Sequence, residues 1–188
     1  MSYNYYCYGQ VQTKDGKWKE FSKHPFADNL KYYIDFNDLP DCFERVTWSK
    51  DDTKVEGIAS EIVDRFKDSF SYTEAYLVRL DKYLKYYSNK FSMVKAKIET
   101  IIKCMGVEGD INWGELDECI YNLLDLNNKK LDKKTVPISY LAAIELLKCI
   151  HEFNMYKYLL DIAKVFETMS YDIDDFSNEK KSFFIIME

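Results

Sequence analysis

Nine apolar residues recur alternately three and four positions apart: Leu77, Leu80, Leu84, Tyr87, Phe91, Val94, Ile98, Ile101 and Met105. Only seven of the twenty residues between them are apolar. A period near 3.5 stacks such side chains on one side of a helix. Ser71 and Glu74 form an S-x-x-E capping pattern ahead of the stripe and Gly106 supplies a stop, so a helix is predicted over residues 72–105. As one straight rod those 34 residues would span about 50 Å. A compact sphere of 188 residues is only about 40 Å across, so the helix should protrude, bend or break, with Ser88-Asn89 the weakest place. A parallel coiled-coil dimer is disfavoured, because with Leu77 at position a, Lys90, Lys95 and Lys97 occupy e and g positions without matching acids. The stripe reads instead as the central helix of an intramolecular bundle.

Around that helix the chain reads as one domain, since 188 residues with 47% apolar content can bury a core. Residues 1–50 are mainly β, 55–170 form a helical bundle, and 182–187 return as a strand. The first segment reads as a hairpin of residues 3–13 and 17–22, turning at Asp15-Gly16. A two-residue loop there would pair Lys14 with Lys17 and Thr13 with Trp18, putting Trp18 and Phe21 on opposite faces; both faces are then partly covered, or a bulge intervenes. A third strand is expected over 32–36. Ile58, Ile62, Val63 and Phe66 mark a short helix. Asn112 and Glu115 cap an acidic helix bearing Leu116, Ile120, Leu123 and Leu124. A further helix starts near Pro137 with Leu141, Ile144, Leu147 and Ile150 on its face, and continues through Tyr158, Leu159, Ile162, Val165 and Phe166 unless Glu152-Phe153-Asn154 breaks it. The apolar tail Phe183-Phe184-Ile185-Ile186-Met187 would invite aggregation if exposed, so it is expected to join the N-terminal sheet. The fold class is thus α+β, a small antiparallel sheet beside a helical bundle.

The charge is unevenly placed. No Lys or Arg lies between Lys103 and Lys129, while Glu108, Asp110, Glu115, Asp117, Glu118 and Asp125 lie there. The remaining acidic residues balance the 26 basic ones, so the net charge of −6 resides in this one segment. Such a segment is either a solvated face or a surface for a basic partner. Lys129, Lys130, Lys133 and Lys134 form the one dense basic cluster, an alternative nucleic-acid patch. With 3 Arg against 23 Lys and an acidic balance, direct nucleic-acid binding is the weaker expectation.

Motifs for chemistry are missing from the sequence. There is no H-E-x-x-H, G-x-S-x-G, P-loop or G-x-G-x-x-G. Loops counted from Asp172 or Asp110 fail as calcium sites, because Ser177 or Glu115 stands at the turn glycine and Phe183 or Tyr121 at the bidentate Glu. His24 reads as a surface residue and His151 as a partner for a helix C-terminus. Cys7, Cys42, Cys104, Cys119 and Cys149 are odd in number and lack a C-x-x-C pair, and read as reduced core thiols. No cofactor or metal is expected. The sequence holds no span of about 18 apolar residues and its start lacks a signal peptide, so a cytoplasmic location is expected.

Two readings result. The leading one is a non-enzymatic protein-interaction or inhibitory module that presents its acidic helix to a basic, nucleic-acid-binding partner protein. The alternative is a small-ligand protein or enzyme with a pocket between sheet and bundle. In general character, small, acidic and tyrosine-rich, the chain is similar to many proteins of phages and mobile elements, inhibitors of host nucleases among them; no motif carries that similarity.

Overall fold

The computed structural model describes residues 5–21, 33–35, 38–66, 72–106, 110–114, 116, 118, 136–170 and 176–187. Along the chain run β1 (Tyr5–Thr13), β2 (Trp18–Glu20), β3 (Phe43–Ser49), α1 (Ser60–Phe66), β4 (Tyr72–Arg79), α2 (Leu80–Cys104), α3 (Val136–Ser170) and β5 (Phe176–Met187). The fold is α+β. The strands form an antiparallel sheet in the order β2-β1-β5-β4-β3. The C-terminal strand returns to the N-terminal one as the sequence predicts, although it begins at Phe176 rather than at 182, and it sits centrally, with Phe184 opposite Tyr8 on one side and Leu77 on the other. The chain divides into two compact units, one of Met1–Tyr87 with Leu159–Glu188 and one of Ser88–Tyr158.

The helix predicted over 72–105 is corrected at its start, because its first eight residues are β4. Thr73, Ala75 and Leu77 are buried on one face of that strand, Tyr76 and Val78 on the other. A strand covered on both faces gives a continuous apolar run that periodicity cannot tell from a helix. Glu74 is therefore not a helix cap; it accepts hydrogen bonds from Arg45 Nη2 (2.7 Å) and Tyr76 Oη (2.9 Å). From Leu80 onward the stripe is the packed face of α2, with Leu80, Tyr87, Val94 and Ile98 buried and Leu84, Phe91, Ile101 and Met105 partly buried, beside buried Tyr83 and Ile102 outside the stripe. The helix is unbroken at Ser88-Asn89, and Gly106, at φ +75°, ends it as expected. The excess length that called for a break belongs to the strand.

The hairpin differs from expectation by one residue. Gln10 opposes Glu20 and Gln12 opposes Trp18, and Thr13 N donates to Lys17 O at 2.8 Å. The loop is thus Lys14-Asp15-Gly16, with Gly16 at φ +84° supplying the left-handed residue of a three-residue turn. Lys17 and Thr13 bond to the Asp15 carboxyl and hold it down to a pKa of about 2. Tyr33 to Asp35 form no strand, which corrects the reading of 32–36.

Both faces of the sheet are covered. Tyr8, Trp48, Ala75 and Leu77 pack against Ile58, Ala59, Ile62, Val63 and Phe66, with Trp18 partly buried beside them. On the opposite face Phe43 meets Tyr83 edge-on at 6.3 Å, and Phe21 meets Phe166 at 4.8 Å. Tyr83 Oη donates to the Leu159 carbonyl at 2.9 Å. Phe21 lies directly over Gly9, where an added Cβ would fall 2.0 Å from the ring. Gly9→Val should therefore destabilise the fold by about 1–3 kcal/mol in chemical denaturation, and Phe21→Ala in the same chain should recover part of that loss. Additive losses would refute the steric cause.

The second unit has its own core of Val94, Ile98, Ile102, Leu116, Leu146, Cys149, Ile150 and Phe153. Phe153 stacks between Phe91 (4.8 Å) and Trp113 (5.4 Å), and Lys95 Nζ lies 4.2 Å over the Trp113 ring. α3 is continuous through Glu152-Phe153-Asn154, because Phe153 is a core residue. Its packed face departs from the predicted one: Leu146, Cys149 and Ile150 are buried, while Leu141, Leu147 and Val165 are exposed. A helix apolar on most sides does not reveal by periodicity which side faces the core. His151 is exposed in mid-helix, far from the C-terminus it was expected to serve.

Candidate functional site

β-Pairing brings four polar residues from separate parts of the chain into one row across the sheet. Gln10 of β1 opposes Glu20 of β2 and Ser182 of β5, and Ser182 opposes Arg79 of β4. Residues opposed in this way share a face, with Cβ atoms about 5 Å apart. The row runs from a buried end at Glu20 to an open end at Arg79.

The buried end is an ion pair. Arg65 of α1 holds Glu20 through two parallel bonds, Nη1 to Oε1 at 2.6 Å and Nη2 to Oε2 at 2.7 Å. The Glu20 side chain is 4% exposed and that of Arg65 31%. The guanidinium also lies 4.9 Å over the Tyr8 ring.

In the centre, Gln10 is fully buried and uses its whole amide. Nε2 donates to the Gly57 carbonyl (2.6 Å) and to Ser182 Oγ (3.0 Å), and Oε1 accepts from Ala59 N–H (2.8 Å). Ala59 carries the first carbonyl of α1, which accepts from Ile62 and Val63. A strand side chain thus does what an N3 Glu or Gln does in a capping box. This arrangement decides how Ser182 points: its oxygen receives one of the two amide hydrogens, so its own hydrogen must be given elsewhere.

Beside the open end lies a groove of about 800 Å³. Trp18, Leu77 and Val46 give it apolar wall, and Ser182, Arg79, Glu44, Glu56 and Asp81 give it polar groups. Glu44, Glu56, Arg79 and Asp81 are exposed. Arg45, also in the lining, is bound to Glu74. Burial raises the Glu74 carboxyl, but the bonds from Arg45 and Tyr76 outweigh it and leave it below its ordinary value.

The sequence-predicted residues lie elsewhere. Asp110 and Glu118 are exposed, and Leu116 between them is buried in the second unit's core. Glu108, Glu115, Asp117 and Asp125, and the lysines Lys129, Lys130, Lys133 and Lys134, lie outside the described residues. Cys7, Cys42 and Cys149 are buried free thiols, Cys104 is an exposed one, and Cys119 is not described. Burial pushes the Cys42 thiol up to about 11, which keeps it protonated and a poor nucleophile. Among the described residues no cluster of His, Cys, Asp and Glu could hold a metal, and no helix is long and apolar enough to cross a membrane.

Sequence reasoning missed the row because its members are 172 positions apart at the extreme and share no motif. The one available signal was Gln10 and Gln12 in an otherwise β-prone apolar strand. Comparison with protein-family models, curated proteins and solved structures finds no match for this chain.

Proposed function

We propose that this chain is a non-enzymatic protein-interaction or inhibitory module of the cytoplasm, of the kind a phage or mobile element encodes, which presents its acidic segment to a basic partner protein. The single observation that carries the reading is the confinement of the whole net charge of −6 between Lys103 and Lys129. The exposed carboxylates of Asp110 and Glu118, on either side of the buried Leu116, support it. Segregated charge of this kind steers association with an oppositely charged surface and competes with phosphates for it.

The test reverses Glu115, Asp117 and Glu118 to lysine and compares capture of proteins from the native cell by mass spectrometry. Wild type should retain a basic nucleic-acid-binding protein and release it on addition of DNA or RNA. The reversed chain should lose that protein while unfolding at the same temperature. Unchanged capture by the reversed chain would overturn the reading. A small-ligand protein is the second reading, favoured by the groove beside Arg79.

A further inference from the structure

We infer that the groove binds a zwitterion, its carboxylate taken by Arg79 and Ser182 and its cation facing Glu44, Glu56 and Asp81. This is the chemistry of a basic amino acid, either free or as the C-terminal residue of a peptide. The inference develops the small-ligand reading and is independent of the acidic segment.

Three observations carry it. First, the open end of the polar row offers donors side by side. Ser182 is fully buried, its oxygen is occupied by Gln10 Nε2, and among the described residues its hydrogen has no acceptor. Arg79 is its cross-strand partner and has five N–H donors and no acceptor. Two adjacent donors of this kind match the two oxygens of a carboxylate.

Second, the chain uses arginine sparingly and for this purpose. It has 23 Lys but only 3 Arg. Arg65 grips Glu20 with two bonds and Arg45 binds Glu74. Arg79, the third, has no carboxylate within bonding distance among the described residues, although Glu44 and Asp81 line the same groove. A planar donor fork favours a planar two-oxygen acceptor where lysine would serve for a point charge.

Third, the surroundings choose between anions. Glu44, Glu56 and Asp81 form no ion pair among the described residues, so Arg79 shares one groove with three carboxylates that no described cation neutralises. A phosphate dianion would meet that excess of negative charge, whereas a carboxylate carried with a cation satisfies both signs. A volume of about 800 Å³ admits a single amino acid or a short peptide end.

The experiment is calorimetric titration of the full chain with L-arginine, L-argininamide, the peptide Ala-Ala-Arg, its C-terminal amide, and inorganic phosphate. Saturable binding is expected for at least one of the two acids, with the corresponding amide weaker by about tenfold or more. The tighter of the two acids identifies the source as free amino acid or peptide end. Arg79→Gln, at an exposed position, should weaken binding by about tenfold or more without changing the unfolding temperature. Asp81→Asn with Glu56→Gln should weaken arginine binding while strengthening that of phosphate. Amides that bind as tightly as acids, phosphate that binds more tightly than either acid, or no saturation by either acid at about 10 mM would each overturn the inference. The chain reversed at Glu115, Asp117 and Glu118 should bind arginine unchanged, which keeps this test separate from that of the acidic surface.

Discussion

Gln10→Leu should lose about 3–5 kcal/mol of stability, read as a lower urea midpoint with an unchanged slope. Leucine is similar in volume and apolar, so the loss does not come from a cavity. It comes from three groups that Gln10 satisfies inside the protein: the Gly57 carbonyl, the Ala59 N–H and Ser182 Oγ. Each buried polar group left without a partner costs about 1–3 kcal/mol, and the added apolar burial returns about 1 kcal/mol. Ala59 opens α1, so the same change loosens the helix start that Ile62 and Val63 depend on. Hydrogen exchange of those two amides should accelerate more than that of β1–β5 amides. A loss under about 1 kcal/mol would show that the amide is replaceable and that the polar row is incidental.

What could be read from the sequence follows from how far each feature depends on pairing. α2 was legible from Leu80 to Met105 because its period is local, and the return of the tail was legible because an apolar strand needs a partner. The start of that helix was not legible. Leu77 stands three residues before Leu80, so an inward-facing strand residue extended the helical spacing by coincidence, and Ser71 with Glu74 imitated a cap. The hairpin register was also misread by one residue, since Asp-Gly suits both two- and three-residue loops, and Thr13 with Lys17 chose the longer one.

The candidate site was illegible for a stronger reason. Each member of the polar row looks ordinary in its own segment: a glutamine in a strand, a serine before an apolar tail, an arginine before a helix. Only the strand order puts β5 between β1 and β4, and only then do Gln10, Ser182 and Arg79 become neighbours. The acidic segment, by contrast, is visible as composition, which needs no fold at all. The two functional readings therefore rest on different levels of the molecule, one on sequence charge and one on sheet register.

Arg65→Met should be the costlier half of the ion pair at the row's other end. Removing the guanidinium strands a Glu20 side chain that is 4% exposed, whereas removing Glu20 leaves an Arg65 side chain that is 31% exposed and able to reach water. The expected losses are about 3–4 kcal/mol for Arg65→Met and about 1–2 kcal/mol for Glu20→Met, the second reduced by solvent access. The double variant should be more stable than Arg65→Met alone, because two apolar side chains replace a stranded charge. Equal losses in the two single variants would show that solvent reaches Glu20 and that the pair is a surface contact.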